Sequence, residues 1–272
     1  MLNRSVLANL GSHVYGLGGI ALGLVGLVWG DFAEVWQPIQ ALGKVPHRTA
    51  LAYVFAVCFL SGGLAAQWRR TAQTGVLMLS ALHFISALFW LPRVIGVPRI
   101  YGTWAGFLEM SSLVAAGMVA YSFLASDNTS RSVTIAQVGR FFYGICVVSY
   151  GVAHFAALPQ TARMVPKWIP PGQPFWAVAT GVFDLLAAIA ILSGIQAVLA
   201  SRLLTAMIVG FGALVWAPAL FANPREHIVW AGNAINLALI GAAWVVADWI
   251  SSRRRQIQQV ADLDAAMETT TT

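Results

Sequence analysis

Apolar residues fall in eight long blocks along the chain, near 8–30, 49–66, 73–92, 101–124, 135–158, 174–194, 198–220 and 227–250, separated by short polar or proline-bearing breaks. None of the blocks alternates with a period of two, and each approaches the roughly 20 residues a helix needs to cross a hydrocarbon core of about 30 Å. Lipid offers no partner to a bare backbone N–H or C=O, so a spanning segment must be helical or belong to a closed barrel. The pattern predicts an all-α, polytopic integral membrane protein of about eight transmembrane helices, with the lipid bilayer as its first partner.

Composition agrees. Charged residues make up 10% of the chain and hydrophobic ones 58%, whereas a soluble domain carries about 25% charged residues. Arg4 ahead of an apolar run suggests a secretory leader. However, Val14 to Trp29 is long for one, and Gly30-Asp31-Phe32-Ala33-Glu34 has no small-x-small cleavage pattern, so a permanent first helix is expected. The net charge of +6 does not point to nucleic acid. With eight spans, Arg4, Arg69, Arg70, Arg131, Arg140, Arg202 and Arg253-Arg254-Arg255 fall on one face. Lys44, Arg48, Arg93, Arg99, Arg163, Lys167 and Arg225 fall on the other, with Asp31, Glu34 and Glu226. This bias predicts that both termini are cytoplasmic. Cys58 and Cys146 form no Cys-x-x-Cys pair and read as small packing residues, which argues against a disulfide-forming oxidoreductase.

The chain repeats itself. Gly11-x-x-x-Tyr15-Gly16 recurs as Gly139-x-x-x-Tyr143-Gly144, and Gly23, Pro38, Pro46 and Phe55 meet Gly151, Pro166, Pro174 and Phe183 at the same offset. Further on, Ala87-Leu88-x-Trp90-x-Pro92 recurs as Ala213-Leu214-x-Trp216-x-Pro218, and Pro98-Arg99-x-x-x-x-Trp104-Ala105-Gly106 as Pro224-Arg225-x-x-x-x-Trp230-Ala231-Gly232. A unit of four helices returns to the side it started from, so two parallel four-helix repeats are expected. The expected division is a first repeat over 1–125, a linker over 126–134, a second repeat over 135–250 and a polar cytoplasmic tail over 251–272, its last ten or so residues disordered. Two longer outer connections, 31–48 and 159–173, carry prolines and tryptophans. They read either as segments lying along the membrane surface or as lids over a cavity.

His83, Glu109, His154 and Asp184 interrupt the apolar blocks, and an ionisable group inside the bilayer is a functional candidate. At 1.5 Å per residue, His154 lies about 7 Å inside the outer boundary and the other three about 12–14 Å inside it. His154 and Asp184 are on adjacent antiparallel helices and could pair, holding a proton near neutral pH or tying two helices together. Glu109 and His83 are the corresponding candidate pair of the first unit. A haem between His83 and His154 would require the two to face each other. No His-x-x-x-His, Glu-x-x-His or cysteine set supports a metal site. Arg99 and Arg225, each directly after proline, are either headgroup anchors or an anion-binding pair at a cavity mouth. Asn233 and Asn236, one turn apart, suit amide cross-links between helices. His227, beside Arg225 and Glu226, is expected to be solvated.

Gly151-Val-Ala-His154-Phe155, Met164-Val165-Pro166-Lys-Trp168-Ile-Pro170 and Thr180-Gly181-Val-Phe-Asp184 resemble the DoxX-like membrane proteins, which show a Gly-x-x-His-Phe stretch, a Val-Pro-x-x-Leu/Ile-Pro loop and a Gly-x-x-Glu. Asp184 stands where that family more often has Glu, and the first unit has Gly26 and Ala56 in place of His154 and Asp184. The resemblance implies a cell inner-membrane protein, and some of the relatives are linked to quinone-dependent sulfur oxidation or membrane redox maturation. The first reading is therefore a redox-associated subunit holding a quinone beside His154 and Asp184, served by a membrane redox partner. The alternatives are a non-enzymatic carrier or receptor for a small amphiphile, using the Arg99 and Arg225 rim, and a scaffold for a partner protein. Whether the protein is an enzyme is left open among these.

Overall fold

The computed structural model describes residues 10–34, 36–41, 45–125 and 129–270. Arg4, Lys44 and most of the polar join, Ser126 to Asn128, lie outside the described residues. Every regular element among those described is helical, and eight helices are long and apolar enough to cross a membrane. The spans are α1 (Leu10–Trp29), α3 (Arg48–Ala65), α4 (Ala72–Gly96), α5 (Tyr101–Leu124), α6 (Ser130–Ala156), α8 (Gln173–Ser193), a composite of α9 (Ala197–Phe211) with α10 (Ala217–Ala222), and α11 (His227–Thr270). Short helices α2 (Trp36–Ala41) and α7 (Leu158–Met164) occupy the two long connections.

Two boundaries differ from expectation. Helix α6 starts at Ser130, inside the expected linker, because the Thr129 hydroxyl accepts the Ser132 backbone N–H at 3.3 Å and caps the first turn. At the other end, the residues expected to be disordered continue α11 to Thr270. Arg253 to Met267 contains no Gly or Pro and is rich in Arg, Gln and Ala, all good helix formers. Its 44 residues make a rod of about 66 Å, twice what a hydrocarbon core needs, so its polar end projects from the membrane.

Each span packs on its sequence neighbour: α1 on α3, α3 on α4, α4 on α5, α6 on α8, α8 on α9 and α9 on α11. Three further contacts, α5 with α6, α11 with α1 and α11 with α5, join the first four spans to the last four. Lipid supplies no hydrophobic drive between helices, so close backbone approach through small residues has to hold them together. The α1–α11 seam shows this. A Cβ on Gly11 would stand 2.5 Å from the Val245 nitrogen, one on Gly18 would stand 2.5 Å from Ala238 Cα, and Gly241 faces the Tyr15 backbone between them. On α3, Gly63 receives Ile20 in the same manner.

Tyr15, Leu79, Met110, Leu113, Tyr143 and Ile191 belong to one core that runs through both sets of four spans. The Tyr15 hydroxyl donates to the Leu113 carbonyl at 3.0 Å, and the Tyr101 hydroxyl donates to the Ser149 carbonyl at 2.6 Å. Large apolar side chains such as Val28, Phe84, Leu186, Ile189 and Phe221 are left exposed on the spans, where acyl chains would cover them.

The Pro-Arg-x-x-x-x-Trp segments receive a structural role. Trp104 Nε1 donates to the Pro98 carbonyl at 3.0 Å, and Trp230 Nε1 donates to the Pro224 carbonyl at 2.9 Å. Two residues beyond each tryptophan, Gly106 and Gly232 make room for the rings of Trp90 and Trp216. Arg99 and Arg225 are exposed in the turns these bonds close.

Candidate functional site

A cavity of about 460 Å³ lies within the last four spans and reaches α5 of the first four. Its walls are mostly apolar, with Met164, Val165, Pro166 and Ile169 from the α7 connection, Phe211, Leu214 and Trp216 from the seventh span, and Leu239 from α11. Into this apolar space project His154, Asp184, Glu109, Tyr150, Thr180 and Asn236. The connection expected to be either a surface segment or a lid thus walls the cavity, and it is pinned there by Gln173 Nε2, which donates to the Val165 carbonyl at 2.6 Å.

His154 and Asp184 are brought together. Small residues allow it: a Cβ on Gly181 would stand 2.7 Å from the His154 Cβ, and one on Gly151 would stand 2.6 Å from Leu185 Cγ, so α6 and α8 meet closely at this level. His154 Nε2 lies 3.7 Å from Asp184 Oδ2. On the other edge of the ring, Nδ1 lies 3.0 Å from the Ala177 carbonyl and 3.2 Å from Thr180 Oγ1. An N–H on Nδ1 donating to that carbonyl leaves Nε2 as the acceptor nitrogen, turned toward the carboxyl group. Phe211 stacks on the imidazole at 6.1 Å with an interplanar angle of 27°. Asp184 is 2% exposed, whereas His154 keeps more of its side chain open to the cavity.

Glu109 does not pair with His83. It sits on α5 facing the same cavity as His154 and Asp184, and no ion pair or hydrogen bond joins it to His83 among the described residues. Ser112, one turn on, donates to the Glu109 carbonyl at 2.6 Å and is also hydrogen-bonded to the Tyr150 hydroxyl, which ties α5 to α6 beside the carboxylate. The partner of His83 is Glu34, with Nδ1 2.6 Å from Oε1 and both side chains 1% exposed. Ser86 Oγ donates to Glu34 Oε2 at 2.6 Å, and Tyr15 and Phe59 close the space around the imidazole.

Glu34 was expected to stand at the outer face with Asp31. It folds inward because the chain after α1 turns back under Phe32 and Ile39, which bury themselves with Ala52 against Phe55, Phe89 and Trp90. Asp31 remains nearer the surface in a two-pronged pair with Arg48, its closest contact 2.7 Å. His83 and His154 therefore occupy separate surroundings: His83 is enclosed with Glu34, Tyr15 and Phe59, whereas His154 lines the cavity and His83 does not. His227 is not simply solvated, for its ring stacks on Trp29 at 5.5 Å.

Beside the cavity, the seventh span loosens into a π-helical turn over Gly212–Trp216, just ahead of Pro218. Asn233 Nδ2 donates to the Trp216 carbonyl at 2.8 Å and Asn236 Nδ2 to the Ile208 carbonyl at 3.4 Å, so both amides brace the carbonyls flanking that turn. Wide turns of this kind are frequent at functional sites. Arg99 and Arg225 are not among the residues lining this cavity.

These features define a polytopic membrane protein with a titratable, mostly apolar internal cavity. Residues 135–217 match the DoxX family model, a stretch that contains His154, Asp184 and the α7 connection, and over that stretch the chain is similar to the DoxX-like membrane proteins. Glu109 and Asn236 reach the cavity from outside the matched stretch. No curated protein and no solved structure matches the chain.

Proposed function

We propose that this protein is a redox-associated subunit of the cell inner membrane that holds a quinone, or a lipophilic molecule of similar chemistry, in the cavity beside His154 and Asp184. The carrying observation is the convergence of His154, Asp184 and Glu109 on one apolar cavity of about 460 Å³, a size suited to a ring and the start of an isoprenoid tail. Reducing a quinone to a quinol takes two electrons and two protons. A histidine and two carboxyl groups can bring the protons to the two ring oxygens, and a membrane redox partner is the source of the electrons. Purification in mild detergent, extraction of bound quinone and an assay of quinone turnover test this reading. Bound quinone that disappears in His154→Ala is the expected result. Absence of quinone from the wild type, together with turnover indifferent to His154→Ala, would end it.

The division into two parallel four-helix repeats, over 1–125 and 135–250, belongs to the same proposal. Its support is the reciprocal pairing of α5 with α6 and of α11 with α1, together with the matching Trp–Pro bonds and Trp–Gly contacts in the two halves. The charge bias supports cytoplasmic termini and a cytoplasmic polar tail beyond residue 250. A second reading, a carrier or receptor for a small amphiphile, is favoured by the π-helical turn beside the cavity. Proteoliposome flux that depends on Asn233 and Asn236 would select it over the quinone site.

A further inference from the structure

At the membrane face opposite the α7 connection, a groove of about 930 Å³ lies between α6, the turn from α8 to α9, and the stretch of α11 where its sequence changes from apolar to polar. Three guanidinium groups line it: Arg140 from α6, and Arg253 and Arg254 from α11. No Asp or Glu is among its lining residues; Gln137, Gln196 and Gln258 supply the remaining polar groups there. Arg140 Nε is buried and has no hydrogen-bond partner among the described residues. Arg253 Nη1 donates to Gln256 Oε1 at 3.3 Å. The groove is thus strongly cationic, and the carboxylates that usually satisfy buried or half-buried arginines are missing from its walls.

The same two helices also bring apolar rings to the groove. Phe141 and Phe142 are exposed and Trp249 lies beside them, at the level where α11 leaves its apolar stretch at Ile250. A soluble anion would engage the arginines and leave these rings unused. An amphiphile with an anionic head and acyl chains uses both, with the guanidinium forks around a phosphate and the tails along the aromatic rings. The turn between the walls is kept low by Gly194, whose φ of 83° disfavours a side chain; a Cβ there would stand 3.8 Å from Arg140 Nη1.

We propose that this groove binds the phosphate headgroup of an anionic phospholipid from the leaflet on the side of the Arg253 cluster, as a site separate from the cavity of His154 and Asp184. The shared chemistry, a phosphate diester or monoester, could also come from a soluble compound, and the test separates the two sources. The full-length protein in neutral detergent is heated with dioleoyl phosphatidylglycerol, with dioleoyl phosphatidylcholine, or with soluble glycerol phosphate. The expected result is a rise in apparent Tm of about 5 °C with saturating phosphatidylglycerol and no rise with the other two. Arg140→Gln combined with Arg254→Gln should remove the shift. Arg255→Gln, which takes the same charge from a residue outside the groove, should keep it. An equal shift with phosphatidylcholine or glycerol phosphate, or equal loss in Arg255→Gln, would overturn the assignment. A readout on the unaltered protein guards against variants that fail to fold. Wild-type protein reconstituted into vesicles of equal phosphatidylglycerol and phosphatidylcholine and re-extracted should retain mainly phosphatidylglycerol by mass spectrometry. Retention in the vesicle ratio would defeat the proposal.

Discussion

His83 Nδ1 lies 2.6 Å from Glu34 Oε1, and the two groups are enclosed together in the first half of the protein. Removing one member of such a pair strands the other in a place where water cannot reach it, a loss of about 3 to 5 kcal/mol. Glu34→Ala should therefore lower the melting temperature sharply. Joint replacement, Glu34→Gln with His83→Leu, should recover much of the loss, since a neutral pair has less to desolvate. Quinone content of the folded fraction should stay at the wild-type level, because neither residue lines the cavity. A Glu34 variant as stable as wild type would show that the pair is not a structural tie.

Glu109 belongs to the cavity of the second half although it comes from the first. If it serves the same proton path as His154, Glu109→Gln should slow quinone turnover by about 100-fold, the usual worth of a positioned proton donor. Binding of the quinone should change little, which distinguishes this effect from a collapsed site. Turnover at the wild-type rate would remove Glu109 from the mechanism.

The Gln173 amide holds the α7 connection over the cavity through its 2.6 Å bond to the Val165 carbonyl. One such bond contributes about 0.5 to 1.5 kcal/mol. Gln173→Ala is thus expected to speed ligand release by about 2- to 10-fold while leaving the melting temperature nearly unchanged. Stopped-flow displacement of a fluorescent quinone analogue measures it.

Gly18 lets α1 and α11 touch, with Ala238 directly opposite. A leucine there has no space to occupy, and overpacking of this kind costs about 1 to 3 kcal/mol or more. Gly18→Leu should lower stability in a thermal melt. Gly102→Ala, on the same type of helix but with open space around the added methyl, should not.

The spans were legible because lipid imposes a simple rule. A segment that cannot find water must close its own backbone bonds, so the length and apolarity of each block determine a helix without reference to the rest of the chain. For the same reason the sequence by itself put His83, Glu109, His154 and Asp184 on spanning helices, and helical rise gave each an expected depth. Rotation about the helix axis is another matter. Depth is a property of one helix, whereas the direction a side chain faces depends on which helices it packs between. Glu109 and His83 were matched by expected depth and parted by packing, since α5 turns Glu109 toward α6 and the cavity of His154 and Asp184.

The inward fold of Glu34 was invisible for a related reason. Its segment lies between spans, where polarity predicts exposure, and only the burial of Phe32 and Ile39 against α3 and α4 carries the carboxylate to His83. Likewise, the Arg253 cluster was readable as a topological signal but not as one wall of a groove. The other wall comes from Arg140 and Phe141 on α6, distant in sequence and brought near only when α11 returns along the bundle. Local chemistry decided which segments form spanning helices and which of those carry ionisable side chains. The contacts between helices, which no single segment encodes, decided which of those charges meet.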